Sequence, residues 1–227
     1  MDSMTRARIS VERERASRVP LDRRVLDSLA WKRGGGDEHE FDRHVPLGRA
    51  WLDDDRLDRD VRRRGYLSRR DVFRLVGDLL SDWERVLVVV NAWGYGKRAS
   101  YGPYRTAVVL AQSERFAAAS SEAHRLLRAK GVEEAFYFLN NDGHVPGWGP
   151  AFFTKFLYFV GEPQTTQALI LDARLAEAVH RIVPGSSFRS AGWTTPQYAF
   201  YVALMQRIAA MFEVTPDEAE ATLFAHF

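Results

Sequence analysis

The stretch Val145-Pro146-Gly147-Trp148-Gly149-Pro150 stands between two apolar runs, one from Val132 to Leu139 and one from Ala151 to Phe159. Phe136 and Leu139 in the first run, and Phe152, Phe156 and Phe159 in the second, recur at helical spacing. Asn140 to His144 forms a polar corner, and the Pro-Gly-x-Gly core that follows reads as a tight hairpin between the two helices. Glycine there can take φ > 0 and let another backbone come close. Such a hairpin is suited to an anion. Gly147, Trp148 and Gly149, entered from Val145, are the expected phosphate seat, because backbone N–H groups and the positive end of a helix dipole meet at that point.

Downstream, the apolar Ala168 to Leu171 leads to Asp172, which opens a helix predicted over Ala173 to Ile182. An aspartate at a helix start has two readings. It is a good N-cap whatever the function, and it is also a carboxylate that the dipole keeps ionised.

The remaining pattern is helical as well. Ser68 to Asp71 reads as a capping box with Asp in place of the usual Glu, ahead of a stripe of Val72, Leu75, Val76 and Leu79. Val86 to Val90 is apolar on all sides and lies inside a longer helical frame, which predicts a core helix. Helices are also expected over Tyr104–Leu110 and Ser113–Lys130, the second stopped by Gly131. Thr195 is expected to cap a helix with Pro196 at its first position, running to about Phe212, and Thr215-Pro216 repeats the device for the last one. No stretch reads as a strand. The fold class is all-α.

Asn91 to Pro103 reads as a loop with three glycines, Trp93, two tyrosines, Lys97 and Arg98. Asn91, Lys97 and Arg98 are candidate DNA contacts, with aromatics placed to stack on bases. The alternative is a glycine-rich turn that packs its aromatics on the core. It is no phosphate-binding P-loop, since Gly96-Lys97 is followed by Arg in place of Ser or Thr.

The chain has 227 residues, a net charge of +2 and no cysteine, which excludes disulfides and thiolate metal sites. No apolar run approaches the roughly 20 residues that span a bilayer. The start lacks a secretory core, so a cytoplasmic protein without a membrane partner is expected. Residues 1–65 form an arginine-rich extension, with some helix within Leu21–Trp31, and 66–227 the main domain. The extension is either a phosphate-contacting arm or a solvated mixed-charge surface. Asp53 to Asp55 does not make a metal site, because neighbouring side chains do not converge on one face. The six histidines are dispersed. No metal and no cofactor are expected.

From about residue 66 onward the chain resembles the bacterial 8-oxoguanine-glycosylase-fold proteins of the helix–hairpin–helix DNA glycosylase superfamily. The resemblance is carried by Asn91 to Gly96, Gly147 to Phe159, Ala168 to Asp172, and Trp193 and Tyr198 with Leu223 and Phe224. It implies a helix–hairpin–helix glycosylase-like fold acting as a monomer on double-stranded DNA. It further implies base flipping and excision of a modified base, in base-excision repair of 8-oxoguanine or in antiphage defence against glucosylated hydroxymethylcytosine. Asp172 would take the place of the essential aspartate, and Trp93, Trp193 and Tyr198 would form the base pocket. Lys155 would be the amine of an associated lyase activity. Here the chain departs from the pattern. Lyase-competent members carry the lysine two residues beyond the second hairpin glycine, a position occupied by Ala151, whereas Lys155 stands one helical turn further on about the same face. Lys155 as a phosphate contact or a snorkelling side chain is the other reading. Two further classes stay open: a DNA-binding module that keeps the hairpin without the chemistry, and an all-α interaction protein whose arginine arm meets an acidic partner.

Overall fold

In the computed structural model, which describes residues 1–31, 44–97, 101–161 and 168–227, the chain is all-α. An N-terminal pair, α1 (Ser3–Arg18) and α2 (Arg23–Asp27), precedes a small unit of β1 (Val45–Pro46), α3 (Arg49–Leu52), α4 (Arg59–Arg64) and β2 (Tyr66–Leu67). Then come α5 (Arg69–Asp78), α6 (Trp83–Tyr95), α7 (Tyr101–Leu110), α8 (Ser113–Lys130), α9 (Val132–Asn140) and α10 (Pro150–Val160). The chain closes with α11 (Ala173–Ile182), α12 (Thr195–Phe212) and α13 (Pro216–His226).

Two helices without a polar face decide how the others are placed. Val86 to Trp93 of α6 and Phe153 to Val160 of α10 are buried on every side. A helix of that composition has to be surrounded. α5, α7 and α8 pack around α6, and α5, α8 and α9 around α10, while the two central helices also pack on each other. The expected core helix over Val86–Val90 is therefore present. Ser68 and Asp71 form the reciprocal capping box at the start of α5, and Gly131 ends α8 with φ +89.

The structure corrects the expected outline in four places. Asn91 to Tyr95 belongs to α6 and not to a loop, and α7 begins at Tyr101, ahead of Tyr104. The reason is packing: the Asn91 amide donates to Thr106 Oγ1 at 2.9 Å, and Trp93 turns into the core beside Phe159. The cap of α12 is Thr194, whose reciprocal partner is Gln197, so Thr195 is its first helical residue. Val45 pairs with Leu67, and Pro46 with Tyr66, in a two-residue antiparallel bridge where no strand was predicted. The 16-residue α1 lies in the arginine-rich stretch upstream of the helix expected there, which is the short α2.

α1 buries little more than Ile9 and Ala16, so apolar area alone does not hold it. Three of its arginines reach other helices of the protein itself. Arg6 pairs with Glu134 of α9 at 2.9 Å, Arg13 pairs with Glu133, and Arg15 lies over the Phe200 ring of α12. The end of α1 is capped from outside: Arg207 of α12 donates to the carbonyls of Ala16 at 3.0 Å and Val19 at 2.7 Å. Trp31 stacks on Phe212, and Asp22 N–H donates to Ile182 O, which ties the following turn to α12 and α11. Arg207→Met keeps the aliphatic packing and removes both bonds. It should lower the unfolding free energy by about 1.5–3 kcal/mol, the usual worth of hydrogen bonds to a charged group. In urea denaturation the midpoint should fall with an unchanged slope, and an unchanged midpoint would mean that α1 is docked by other contacts.

Candidate active site

α9 and α10 are joined by a turn built on steric necessity. Gly143 N–H donates to Phe138 O at 2.8 Å, and a Cβ at Gly143 would lie 2.4 Å from the Phe138 ring. Val145 is fully buried and accepts the Trp148 N–H at 3.0 Å. The Trp148 N–H is therefore not free for an anion, contrary to expectation. The Trp148 ring is also buried, edge-on to Phe116 and Phe156, and anchors the hairpin from below. Gly147 has φ +90. Its carbonyl accepts from Arg105 of α7 at 3.3 Å, while the Pro146 carbonyl accepts from Gln112, the N-cap of α8, so the turn is braced from both helices. Gly149 caps α10 without a side-chain partner, and open space lies where its Cβ would be.

On α10, Lys155 is 5% exposed. Its Nζ donates to Asp172 Oδ2 at 3.0 Å and to Ala151 O at 2.8 Å. The sequence position of Lys155 is one turn past that of Ala151, yet its amine lies over Ala151. Long helical side chains run back toward the N-terminus, which closes the gap. Gly94 of α6 makes room for the lysine stem, since a Cβ there would stand 3.1 Å from Lys155 Cδ.

Asp172 is the cap of α11, as predicted. Its Oδ1 accepts from the N–H groups of Arg174 and Leu175, each at 3.2 Å, which leaves Oδ2 to Lys155. Burial pushes the Asp172 carboxyl up, but the Lys155 ammonium and the three hydrogen bonds outweigh it and hold the group below its ordinary value.

The approach to Asp172 is an extended segment whose backbone partners are side chains. The Tyr198 hydroxyl accepts from Leu169 N–H and donates to Leu169 O, and the Tyr201 hydroxyl donates to Ile170 O. Glu220 accepts the Ile170 N–H at 2.5 Å. Thr154 Oγ1 accepts from Leu171 N–H at 3.2 Å and donates to Pro150 O at 2.7 Å, joining the segment to the first turn of α10.

Several expected site residues therefore sit elsewhere. Tyr198 is wholly buried, stacked on Phe136. Trp193 is buried with its Nε1 on Arg189 O, and Trp93 packs between Phe159 and the Arg69 guanidinium. These three rings are core and do not line an open pocket. Asn91 is buried too, Lys97 is exposed, and Arg98 lies outside the described residues. Sequence reading took the tyrosines of this stretch as base-stacking candidates but missed that Phe152 joins them in a series leading outward from Lys155. Its amine is 5.4 Å from the Phe152 ring, Phe152 stacks on Tyr95 at 4.3 Å, and Tyr95 meets Tyr101 edge-on. Tyr101 and Tyr104 are 58% and 64% exposed, and Arg105 links this edge to Gly147. Among the described residues no group of three or more His, Cys, Asp or Glu is arranged to hold a metal ion, and no helix is long and apolar enough to cross a membrane.

The site thus combines, in an all-α domain, a glycine hairpin with a buried lysine facing an aspartate at a helix start. Residues 36–224 match the family described as "Putative 8-oxoguanine DNA glycosylase OGG-like protein", and the chain belongs to that family. The match takes in the β1–β2 unit, which packs Val45 against Gly96 and Trp51 against Gly102, close to the site. No curated protein and no solved structure matches the chain.

The depressed Asp172 carboxyl has a consequence for stability against pH. A group whose folded value lies below its unfolded one stabilises above the unfolded value of about 3.9 and loses that contribution as pH falls through the folded value. Wild type should therefore be more stable than Asp172→Asn by a constant margin from pH 7 to about 4, with the margin shrinking below that. Urea titrations of both proteins at several pH values measure it. A margin that grows on acidification would contradict the pairing with Lys155.

Proposed function

We propose that the protein is a DNA glycosylase that takes a modified base out of double-stranded DNA and cuts its N-glycosidic bond, leaving an abasic site. The observation that carries this is the 3.0 Å contact between Lys155 Nζ and Asp172 Oδ2, one turn inside the helix that the Gly147–Gly149 hairpin opens. As the bond to the base breaks, the bonding pair leaves with the base and positive charge grows on the sugar. An ionised carboxylate beside C1′ stabilises that charge. Water adds at C1′, and the departing base takes up the proton. In the second route the Lys155 amine adds in place of water, forms an imine with the opened sugar, and permits strand scission.

Gly147 and Gly149, and the exposed Lys97, are assigned to phosphate, and the exposed Tyr101 and Tyr104 to the bases flanking the extruded nucleotide. Trp93, Trp193 and Tyr198 are core residues, so the extruded base is assigned instead to the Phe152 ring, whose centroid is 5.4 Å from the Lys155 amine. Substrates to compare are duplexes with 8-oxoguanine and phage DNA carrying glucosylated hydroxymethylcytosine.

Asp172→Asn keeps the helix cap, since Asn and Asp cap about equally well, and removes the full negative charge. Single-turnover base release on a responsive duplex should drop on the order of 10²–10³, the cost of losing one preorganised electrostatic group, while DNA affinity changes little. Wild-type release by this variant would leave Asp172 as a cap only and favour a binding module. Borohydride added during the reaction separates the two routes: a covalent protein–DNA adduct lost in Lys155→Met identifies the imine, and release without an adduct identifies the hydrolytic route. For the hairpin, Gly149→Asp places a charge in open space at the phosphate seat. It should weaken binding to all duplexes alike, because phosphate contacts carry no base information, and unchanged affinity across a salt titration would remove the hairpin from the interface.

A further inference from the structure

We infer that Glu220 of α13 is a positioning residue for Asp172, fixing through the Ile170 N–H the segment that carries the carboxylate to Lys155. The role in catalysis rests on the glycosylase reading above; the role in placing Asp172 does not.

The geometry is that of a built contact. Glu220 is 1% exposed, and its Oε2 accepts the Ile170 N–H at 2.5 Å, two residues before Asp172. Its Oε1 faces the Arg69 guanidinium at 3.6 Å. Arg69, partly buried at the start of α5, donates to the Tyr158 hydroxyl of α10 at 2.9 Å, and that hydroxyl lies 3.3 Å from Asp217. The cluster therefore joins α5, α10 and α13 to one backbone amide of the segment. The remaining groups of that segment are held by neutral hydroxyls, Tyr198, Tyr201 and Thr154. Among the described residues, Glu220 is the one carboxyl among its holders.

A buried carboxyl is a costly acceptor where a hydroxyl would serve, and burial pushes Glu220 up to about 8. What the longer side chain provides is reach. It crosses from the last helix to an amide that the nearer helices do not satisfy, and it anchors that amide to the rigid Arg69–Tyr158 cluster. Loss of the contact frees Ile170 to shift, and Asp172 shifts with it. A displacement of about 1 Å at a reacting group can cost on the order of a hundredfold in rate.

Three variants of the full chain test this. Glu220→Gln retains an oxygen at the same reach and is expected to behave as wild type. Glu220→Asp keeps the carboxyl group but is one methylene too short to reach the amide, and Glu220→Ala removes the acceptor. Arg207→Met serves as a control destabilised at a distance. The first measurement is the carboxyl titration of Asp172 by carbon NMR, together with hydrogen exchange at the Ile170 amide. Glu220→Asp should raise the Asp172 midpoint toward the ordinary carboxylate value and speed exchange at Ile170, with Glu220→Gln and the control unmoved. The second is single-turnover base release at saturating enzyme. There Glu220→Asp should lose on the order of tenfold to a hundredfold with DNA affinity unchanged, and Glu220→Gln should not. If Glu220→Ala does not fold, the Asp and Gln variants decide alone. An Asp172 midpoint in Glu220→Asp equal to wild type overturns the inference, as does a Gln variant that loses as much as Asp. Should wild type release no base from any duplex, the glycosylase reading fails while the titration still reports on Glu220.

Discussion

Extended backbone inside a helical core has no neighbouring strand to answer its N–H and C=O groups, and each unanswered buried group costs about 1–3 kcal/mol. The segment from Ala168 to Asp172 is in that position. Its partners come from three helices, as Thr154 on α10, Tyr198 and Tyr201 on α12, and Glu220 on α13. The placement of Asp172 is therefore not a local property of α11. It is set by how α10, α12 and α13 pack, and a change in any of them is transmitted to the carboxylate through a hydrogen bond to the backbone.

The same dependence explains the glycines near the site. Gly94 is where the Lys155 stem crosses α6, and Gly143 is where the Phe138 ring closes against the turn. In both cases the missing side chain is what allows a functional or anchoring group to come within contact distance. Interiors pack at the density of organic crystals, so a single added methyl at such a point displaces its neighbour. The hairpin is held likewise from outside itself, by Arg105 of α7 and Gln112, the N-cap of α8, on the carbonyls of Gly147 and Pro146.

Local signals in the sequence were readable because their causes are local. The cap at Asp172, the stop at Gly131, the box at Ser68 and the hairpin glycines all follow from the needs of one helix end or one turn. The all-apolar helix over Val86–Val90 was readable from composition. What the sequence did not disclose depends on distant partners. Trp93, Trp193 and Tyr198 looked like base-stacking residues because aromatic side chains serve cores and nucleic-acid surfaces equally well, and only packing separates the two uses. The arginines of α1 looked like a solvent or phosphate face because Glu133 and Glu134 lie more than a hundred residues away. Lys155 looked misplaced by one turn until the direction of helical side chains is considered.

That lysine also constrains the chemistry. The Asp172 carboxylate already receives two N–H bonds at one oxygen and the Lys155 ammonium at the other. In the proposed reaction a growing sugar cation would therefore meet an anion whose charge is shared with a neighbour 3.0 Å away. If the ammonium stays in place, the net field at C1′ is weakened, and the carboxylate acts mainly by orienting charge. If the departing base takes a proton from the ammonium and the freed amine attacks C1′, the carboxylate faces the sugar without a charged neighbour while the nitrogen becomes bonded to C1′. The two routes thus draw opposite electrostatic benefit from one contact. Burial acts on both, because low dielectric strengthens the attraction within the pair as well as the pull of a freed carboxylate on the sugar cation.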